Sequence, residues 1–164
     1  MDYLPIFMNV SGQSCLVVGG GELAEGKISL LLKANAKVKV IASDLKPSLT
    51  YLKEQQKFDH QETPFDDSDL DGCKLVFVAT EDDALNRKIS DAAKARNLPV
   101  NVVDCPELCS FSMPSIIDRS PVLIAVSTGG SSPTLARILR AKIEAMLPQA
   151  YGRLATLVNG FRDK

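Results

Sequence analysis

The chain has 164 residues, of which 45% are hydrophobic and 24% charged, and its formal net charge is −1. This composition is ordinary for one globular domain with a small appended unit, and the near-neutral balance does not favour a nucleic-acid-binding protein. No apolar stretch reaches the roughly 18–20 residues of a membrane span, and the first residues lack the basic region of a secretory signal, so we expect a cytoplasmic protein without membrane contact.

The first predicted elements surround a glycine-rich turn. Residues 16–18 read as an apolar strand, and a helix is predicted to follow up to residue 34, with a buried stripe of Leu23, Ile28, Leu31 and Leu32. Between them, Gly19 permits the sharp turn, Gly21 lets the backbone approach a pyrophosphate, and Ala24 allows close helix packing. This spacing is typical of dinucleotide-binding turns. Because tight turns also use glycine without any ligand, a purely structural turn is the alternative.

An acidic residue follows the second predicted strand, residues 38–41. Asp44 lies 20 residues after Ala24, where a carboxylate would bind the adenosine ribose and repel a 2′-phosphate. The position favours NAD over NADP, although the nearby Lys46 weakens that preference. A helix cap or a turn residue is the alternative role for Asp44.

The alternation of strand and helix continues to residue 103. The pattern predicts a helix over residues 47–55, a strand near 58–61, an apolar strand over 74–80, a helix over 84–95 and a strand over 99–103. This alternation favours a Rossmann-like α/β fold with a parallel sheet. Thr80 and Asp104, which end two of the strands, would then lie at the edge where such sheets bind ligands.

The pattern changes after Asp104. Residues 111–117 and 121–126 predict a β-hairpin around a turn at 118–120, and a polar loop, 127–132, follows, in which Ser131 or Ser132 caps the next helix. Helices are predicted at 134–146 and 150–161. A hairpin and two amphipathic helices do not close a core alone, so we expect them to pack against a second subunit or against further sequence.

The cysteine pattern does not indicate a metal site. Cys15, Cys73, Cys105 and Cys109 lack paired metal-ligand spacing, and the single histidine, His60, lies far from them in sequence. We therefore expect reduced thiols and no resident metal.

Five sequence blocks follow one another along the chain, at residues 4–7, 17–27, 101–104, 113–121 and 126–133. They resemble the amino-terminal module of siroheme synthase, which is the precorrin-2 dehydrogenase and sirohydrochlorin ferrochelatase. The similarity spans essentially the whole chain, and a generic Rossmann domain has no counterpart of the last two blocks. The resemblance implies NAD-dependent oxidation of precorrin-2, followed in bifunctional members by insertion of ferrous iron, which is a substrate. It also implies a homodimer whose carboxyl-terminal regions interlock.

The resemblance places the acid of both steps at Asp104, for which a helix or turn cap is the alternative role. The predicted cofactor-binding residues are Gly19, Gly20, Gly21, Glu22, Leu23, Ser43, Asp44 and Thr80. Residues 105–164 carry 7 Lys+Arg and 4 Asp+Glu, which suits a substrate rich in carboxylates. The predicted substrate-binding residues are Arg119, Ser127, Thr128, Gly129, Gly130 and Arg137.

Two regions are predicted: an NAD-binding Rossmann domain, residues 1–110, and a hairpin and helical region for dimerisation and substrate binding, residues 111–164. The second region stops short of the helical continuation typical of the family, so we expect a truncated region. Three alternatives stay open. The chain is a dehydrogenase-only member of the family, a generic NAD-dependent dehydrogenase of a small substrate, or a module that senses NAD without catalysis.

Overall fold

The computed structural model of the chain describes residues 2–161, which fall into two compact units. Leu4–Phe111 form the first, here called the Rossmann unit. Residues 2–3 and 112–161 form the second, here called the hairpin–helix unit. Residues 1 and 162–164, which the predicted domain bounds include, lie outside the described residues.

The Rossmann unit contains a five-stranded parallel sheet. Its strands stand in the spatial order β3-β2-β1-β4-β5, and their bounds are β1 Ser14–Val18, β2 Lys37–Ile41, β3 Asp59–Gln61, β4 Leu75–Val78 and β5 Val100–Val102. The chain starts in the middle, winds outward through β2 and β3, and then crosses to the other side of β1. This reversal between β1 and β4 is the switch point at which open α/β sheets bind ligands.

Three helices connect these strands: α1 Glu22–Lys33, α2 Pro47–Glu54 and α3 Asp83–Ala95. Short 3-10 turns at Asp67–Leu70 and Pro106–Leu108 complete the connections. The predicted Rossmann-like fold is confirmed, and no strand or helix end in this unit differs from its prediction by more than two residues. The agreement follows from the continuous apolar runs of the central strands, which are buried on both faces.

The buried face of α1 differs from the prediction at one residue. Ala24, Ile28 and Leu31 are buried, whereas Leu23 is 52% exposed. Successive residues of a helix point about 100° apart, so once Ala24 faces the sheet its neighbour turns towards solvent. The prediction that Leu23 belongs to the buried stripe is therefore wrong.

Cys15 in β1 is fully buried, and burial raises the pKa of its thiol from 9.0 to about 11. The unfolded chain therefore loses this proton near pH 9, while the folded chain keeps it until about pH 11. The stability that this difference provides is complete below pH 9 and is lost as the pH rises to 11. We expect the stability advantage of the wild type over Cys15→Ala to shrink by about 2–3 kcal/mol across that range. Urea unfolding of both proteins at each pH measures it, and an advantage that stays constant would contradict the assignment.

The hairpin–helix unit consists of an antiparallel strand pair and two helices. β6 Ser115–Arg119 pairs with β7 Val122–Val126, and α4 Pro133–Met146 and α5 Ala150–Asn159 follow. The predicted turn at residues 118–120 is wrong, because Asp118 and Arg119 are paired within β6 and only Ser120 and Pro121 join the strands. The Asp118 carboxylate accepts hydrogen bonds from the Ser120 amide at 2.9 Å and from the Ser120 hydroxyl at 2.6 Å. A residue of the strand thus stabilises the turn that follows it.

The first hairpin strand is also shorter than predicted. β6 begins at Ser115, and Phe111 belongs to the Rossmann unit, where its ring meets Phe77 edge-on at 5.8 Å. Pro114 stands directly before β6. Proline has no amide N–H, and at this position outside the strand no hydrogen bond between the strands is lost.

The helices of this unit expose much of their apolar surface. The exposed large hydrophobic side chains on α4 and α5 are Leu135, Ile138, Leu139, Met146, Tyr151, Leu154, Leu157 and Val158. Large contiguous apolar patches on a folded unit are typical of faces that pack against another polypeptide. That this surface packs against a second subunit or further sequence stays a prediction. None of the helices within residues 2–161 combines the length and hydropathy of a membrane span.

Candidate active site

The glycine turn between β1 and α1 lies at the switch point of the sheet. A Cβ at Gly19, whose φ is +121°, would lie 2.2 Å from the carbonyl oxygen of Ala79, and one at Gly20 would lie 2.0 Å from that of Asp44. Both glycines are therefore required by the packing of the turn. Gly21 differs, because a Cβ added there would meet no heavy atom of residues 2–161 within 4 Å beyond its own chain neighbours. The third glycine faces open space, which is the room that a pyrophosphate needs against the backbone.

The start of α1 is open to a ligand. Gly21 is the N-cap residue, and no side chain caps the helix. Glu22 and Leu23 begin the first turn, and both side chains are exposed. The uncapped amides and the positive end of the helix dipole suit a phosphate group at this position.

Ser43 and Asp44 follow β2 beside the same turn. Asp44 is exposed, and its carboxylate accepts a hydrogen bond from the Ser43 hydroxyl at 3.1 Å. The alternative that Asp44 caps a helix is wrong, because the N-cap residue of α2 is Lys46. The Lys46 amide donates to the carbonyl of Gly20 at 2.9 Å, which ties this segment to the glycine turn. The structure thus brings Ser43, Asp44 and the glycines together.

Thr80 follows β4, and its side chain is bound within the loop. The hydroxyl donates to Oδ1 of Asn86 at 2.6 Å, and Nδ2 of Asn86 donates back to the Thr80 carbonyl at 3.1 Å. Asn86 is only 3% exposed on α3, so this pair fixes the loop onto the helix. Sequence reasoning missed Asn86; a polar residue at an inward position of an amphipathic helix is the signal that indicates it.

Asp104 stands beyond β5 at the same edge of the sheet. It is exposed and has φ +60°, a conformation that costs a non-glycine residue about 1 kcal/mol. The alternative role as a cap is wrong, since Cys105 is the N-cap residue of the following turn. Within residues 2–161 the Asp104 carboxylate has no hydrogen bond. A strained, unbonded carboxylate at a ligand-binding edge is a candidate catalytic group.

The backbone around Asp104 is held firmly. Ser90 donates from its buried hydroxyl to the Leu108 carbonyl at 2.6 Å, and Asn101 Nδ2 donates to the Phe111 carbonyl at 3.0 Å. Cys109 Sγ donates to the Val102 carbonyl at 3.2 Å. The loop is therefore fixed from several sides while the carboxylate itself stays free, which preorganises a reacting group.

Lys27 is a second charged group near this edge, and the site prediction missed it. The side chain of this α1 residue is half-buried, and its Nζ lies 5.5 Å from the centroid of the Phe77 ring. Burial lowers the pKa of Lys27, while the negative charge of Asp104 opposes that shift. The signal is visible in the sequence, because Lys27 lies three residues after Ala24, on the inward stripe of an amphipathic helix.

The hairpin–helix unit contains a cavity of about 430 Å³. It lies between the approach to β6, the loop after β7 and the start of α4. Four of the six predicted substrate-binding residues line it, namely Ser127, Thr128, Gly130 and Arg137. The structure thus gathers these four residues around one space.

The loop after β7 uses several of its donors internally. The Gly129 amide donates to the Ser127 hydroxyl at 3.1 Å, and the amides of Ser131 and Ser132 donate to the carbonyl and the hydroxyl of Thr128, each at 3.1 Å. The Ser132 hydroxyl caps α4. A nest of backbone amides for an anion therefore has fewer free donors here than the sequence suggested.

Arg119 has a structural role in this unit, and its predicted substrate contact stays a prediction. Its Nε donates to the Leu147 carbonyl at 3.0 Å, and its guanidinium also reaches a Glu144 oxygen at 3.3 Å and the Asp118 carbonyl at 3.0 Å. The side chain is 13% exposed. These three bonds join Arg119 to its own strand and to the end of α4, so Arg119 holds the hairpin to that end of the helix.

All four cysteines are free thiols in the structure. In the described part of the chain no three His, Cys, Asp or Glu side chains are grouped so that they could hold a metal ion.

Comparisons with known proteins agree with this geometry. Residues 6–115 match a family model described as "Putative NAD(P)-binding", and residues 119–146 match one described as "Sirohaem biosynthesis protein central". A siroheme synthase of Thioalkalivibrio sulfidiphilus is 54% identical over 164 residues, which are 100% of this chain and 34% of that protein. A siroheme synthase of Methylobacillus flagellatus is 52% identical over 163 residues, 99% of this chain and 35% of that one. The chain thus spans about a third of the length of these curated relatives.

A solved structure, "SirC, precorrin-2 dehydrogenase", matches with a TM-score of 0.79 at 22% identity. The match covers 96% of this chain and 78% of that one. At this identity the likeness concerns the fold, and it extends beyond the parallel sheet to the antiparallel strand pair and the helices after it.

Proposed function

This chain belongs to the NAD(P)-binding family found in siroheme synthases, and from that premise we propose that it oxidises precorrin-2 to sirohydrochlorin with NAD as the hydride acceptor. The observation that carries the proposal is the edge of the sheet at which Gly21 faces open space and Asp104 presents an unbonded carboxylate. The reaction needs a binding site for the cofactor and a base, and residues at this one edge of the sheet are suited to both roles.

The residues present fit a dinucleotide. A side chain at Gly21 would fill the space beside the uncapped start of α1, and glycine leaves that space free for a pyrophosphate. Asp44 suits a ribose hydroxyl and repels a 2′-phosphate, which favours NAD. When bound, NAD would be the acceptor of a hydride from a carbon atom of the substrate.

The chain supplies the proton chemistry. Oxidation of precorrin-2 removes one hydride and one proton, and the Asp104 carboxylate accepts the proton. Because Asp104 is exposed, it returns the proton to solvent after the step. The half-buried Lys27 lies near the same carboxylate, whose charge opposes the lowering of the Lys27 pKa by burial.

We also propose that the cavity of the hairpin–helix unit anchors substrate carboxylates. Its polar lining consists of Arg137 and the hydroxyl-bearing residues Ser112, Ser115, Ser127 and Thr128. Arg137 is exposed, and among the described residues its guanidinium has only a 3.5 Å contact to Thr134. An available guanidinium beside hydroxyls is suited to carboxylate binding. The many carboxylates of a tetrapyrrole give this cavity a matching ligand.

Ferrous iron insertion into sirohydrochlorin is a second candidate activity. Two pyrrolic N–H protons must leave as the metal enters, and Asp104 can accept one of them. A single carboxylate without histidine or cysteine partners holds iron weakly, as a metal that must be passed on requires. In this reaction iron is a substrate.

A homodimer is part of the proposal. The exposed apolar faces of α4 and α5 offer the surface that a second copy of the chain would cover, and obligate interfaces are apolar in this way. Sedimentation analysis of the chain should give twice the mass of 17.7 kDa. A monomer at micromolar concentration would remove dimerisation from the proposal.

The proposed function is tested by an anaerobic assay of the chain with precorrin-2 and NAD, followed spectroscopically and repeated with ferrous or cobaltous ion. We expect one NADH for each sirohydrochlorin formed. NAD binding without oxidation would identify a sensing module, and turnover of simple hydroxy acids in place of the tetrapyrrole would identify a generic dehydrogenase. Oxidation without metal insertion would identify a dehydrogenase-only enzyme.

A further inference from the structure

Lys46 lies directly behind the glycine turn, and both its backbone and its side chain are bound there. Its amide donates to the Gly20 carbonyl at 2.9 Å. Its ammonium donates to Glu25 Oε2 at 2.8 Å and also to the carboxylate of Glu22. Both glutamates lie in the first turn of α1. The two ends of Lys46 therefore join the segment after β2 to the start of α1.

The pKa shifts in this cluster agree with a Lys46 ammonium that is bound to both glutamates. Hydrogen bonds to Glu22 and Glu25 raise the pKa of Lys46 above its usual range, and the hydrogen bond from Lys46 lowers the pKa of Glu25. Lys46 stays charged and Glu25 stays ionised at neutral pH. With Asp44, three carboxylates face this region against one ammonium.

The position of Lys46 bears on the choice between NAD and NADP. NADP carries a phosphate on the adenosine ribose where NAD has a hydroxyl, and that ribose lies beside the end of β2, next to the glycine turn. A free lysine two residues after Asp44 would attract the phosphate dianion. A lysine already bound to two carboxylates leaves a local excess of negative charge, which repels it.

We propose that Glu22 and Glu25 hold Lys46 away from a 2′-phosphate and thereby select NAD over NADP. The inference rests on the proposed use of NAD at this turn and adds its specificity determinants. Of the two glutamates, Glu25 is the stronger constraint, because its side chain is 27% exposed and that of Glu22 is 80% exposed. Charge pairs farther from water are screened less.

The test measures the Kd of NAD and of NADP, by titration calorimetry, for the 164-residue chain and for Glu22→Gln, Glu25→Gln and the double variant. We expect the preference for NAD to fall by about tenfold or more in the double variant, with Glu25→Gln producing the larger single effect. Adding Lys46→Met to the double variant should remove the gain in NADP affinity. Raising the salt concentration should reduce it.

The chain offers a matched control. Arg96 has the same arrangement of one cation and two carboxylates, with Asp67 at 4.0 Å and Asp71 at 3.9 Å, beside the amino end of β4 and so at the opposite edge of the sheet. Asp67→Asn with Asp71→Asn removes the same charge and should leave the ratio of the two Kd values unchanged.

The outcomes separate the inference from the function beneath it. A wild type that binds neither dinucleotide would overturn the proposed function and the inference with it. A wild type that binds NAD, with a double variant that keeps the wild-type ratio, would overturn the inference alone. So would a gain in NADP affinity that survives Lys46→Met or that also occurs in the Asp67→Asn, Asp71→Asn control.

Discussion

Replacing Asp104 by Ala is expected to lower the rate of precorrin-2 oxidation by about 10²- to 10⁴-fold, the usual contribution of a positioned base. NAD binding should persist, because the glycine turn follows β1 whereas Asp104 follows β5, and within residues 2–161 the turn makes no contact with the Asp104 side chain. Stopped-flow measurement of NADH formation gives the rate, and NAD titration gives the affinity. The pair of results separates a loss of chemistry from a loss of the cofactor.

The backbone at Asp104 makes Asn the sharper replacement. Asn tolerates the left-handed conformation at φ +60° as well as Asp does, whereas Ala adds a conformational cost. Asp104→Asn should therefore fold like the wild type and lose activity like Asp104→Ala. Glu81→Gln, which changes an exposed carboxylate after β4, serves as the control and should keep its activity. Unchanged turnover in Asp104→Asn would remove this residue from the mechanism.

Gly21→Ala is expected to fold normally and to lose affinity for NAD. Its added methyl group meets no described atom of the protein within 4 Å apart from its chain neighbours, so the melting temperature should stay near that of the wild type. The same methyl group would press against a bound pyrophosphate. Overpacking of this kind costs about 1–3 kcal/mol, which is about 5- to 150-fold in Kd.

Gly20→Ala gives the contrasting result. Its methyl group would lie 2.0 Å from the Asp44 carbonyl oxygen, so the turn must shift and the melting temperature should fall. Thermal melts and NAD titrations of both variants distinguish the glycine that the fold requires from the one that the ligand requires. A Gly21→Ala protein with wild-type affinity would show that the pyrophosphate binds elsewhere.

The sequence predicted the parallel sheet well because its signals are local. Residues 75–78 are apolar throughout, as a strand buried on both faces requires, and the glycines mark the one place where β1 turns sharply into α1. The position of Asp104 after β5 follows from the same pattern, since parallel strands place their carboxyl ends at one edge.

Some features could not be predicted because they depend on contacts between residues that are distant in sequence. Arg119 looks like a free cation in the sequence, and only the approach of Leu147 and Glu144 shows that it also bonds within its own unit. The role of Lys46 likewise depends on Glu22 and Glu25, which are more than 20 residues away along the chain. The turn was placed wrongly for another reason. Asp118, Arg119 and Ser120 are all polar, and the sequence does not show that the first two pair with the opposite strand.

The central claim is that one edge of the Rossmann sheet holds NAD with its nicotinamide beside Asp104. A crystal structure of the chain with NAD tests this most directly. The pyrophosphate should lie over the turn at Gly21, the adenosine ribose should bind Asp44, and the nicotinamide ring should lie next to the Asp104 carboxylate. A dinucleotide bound away from the glycine turn, or bound there with its nicotinamide far from Asp104, would contradict the account.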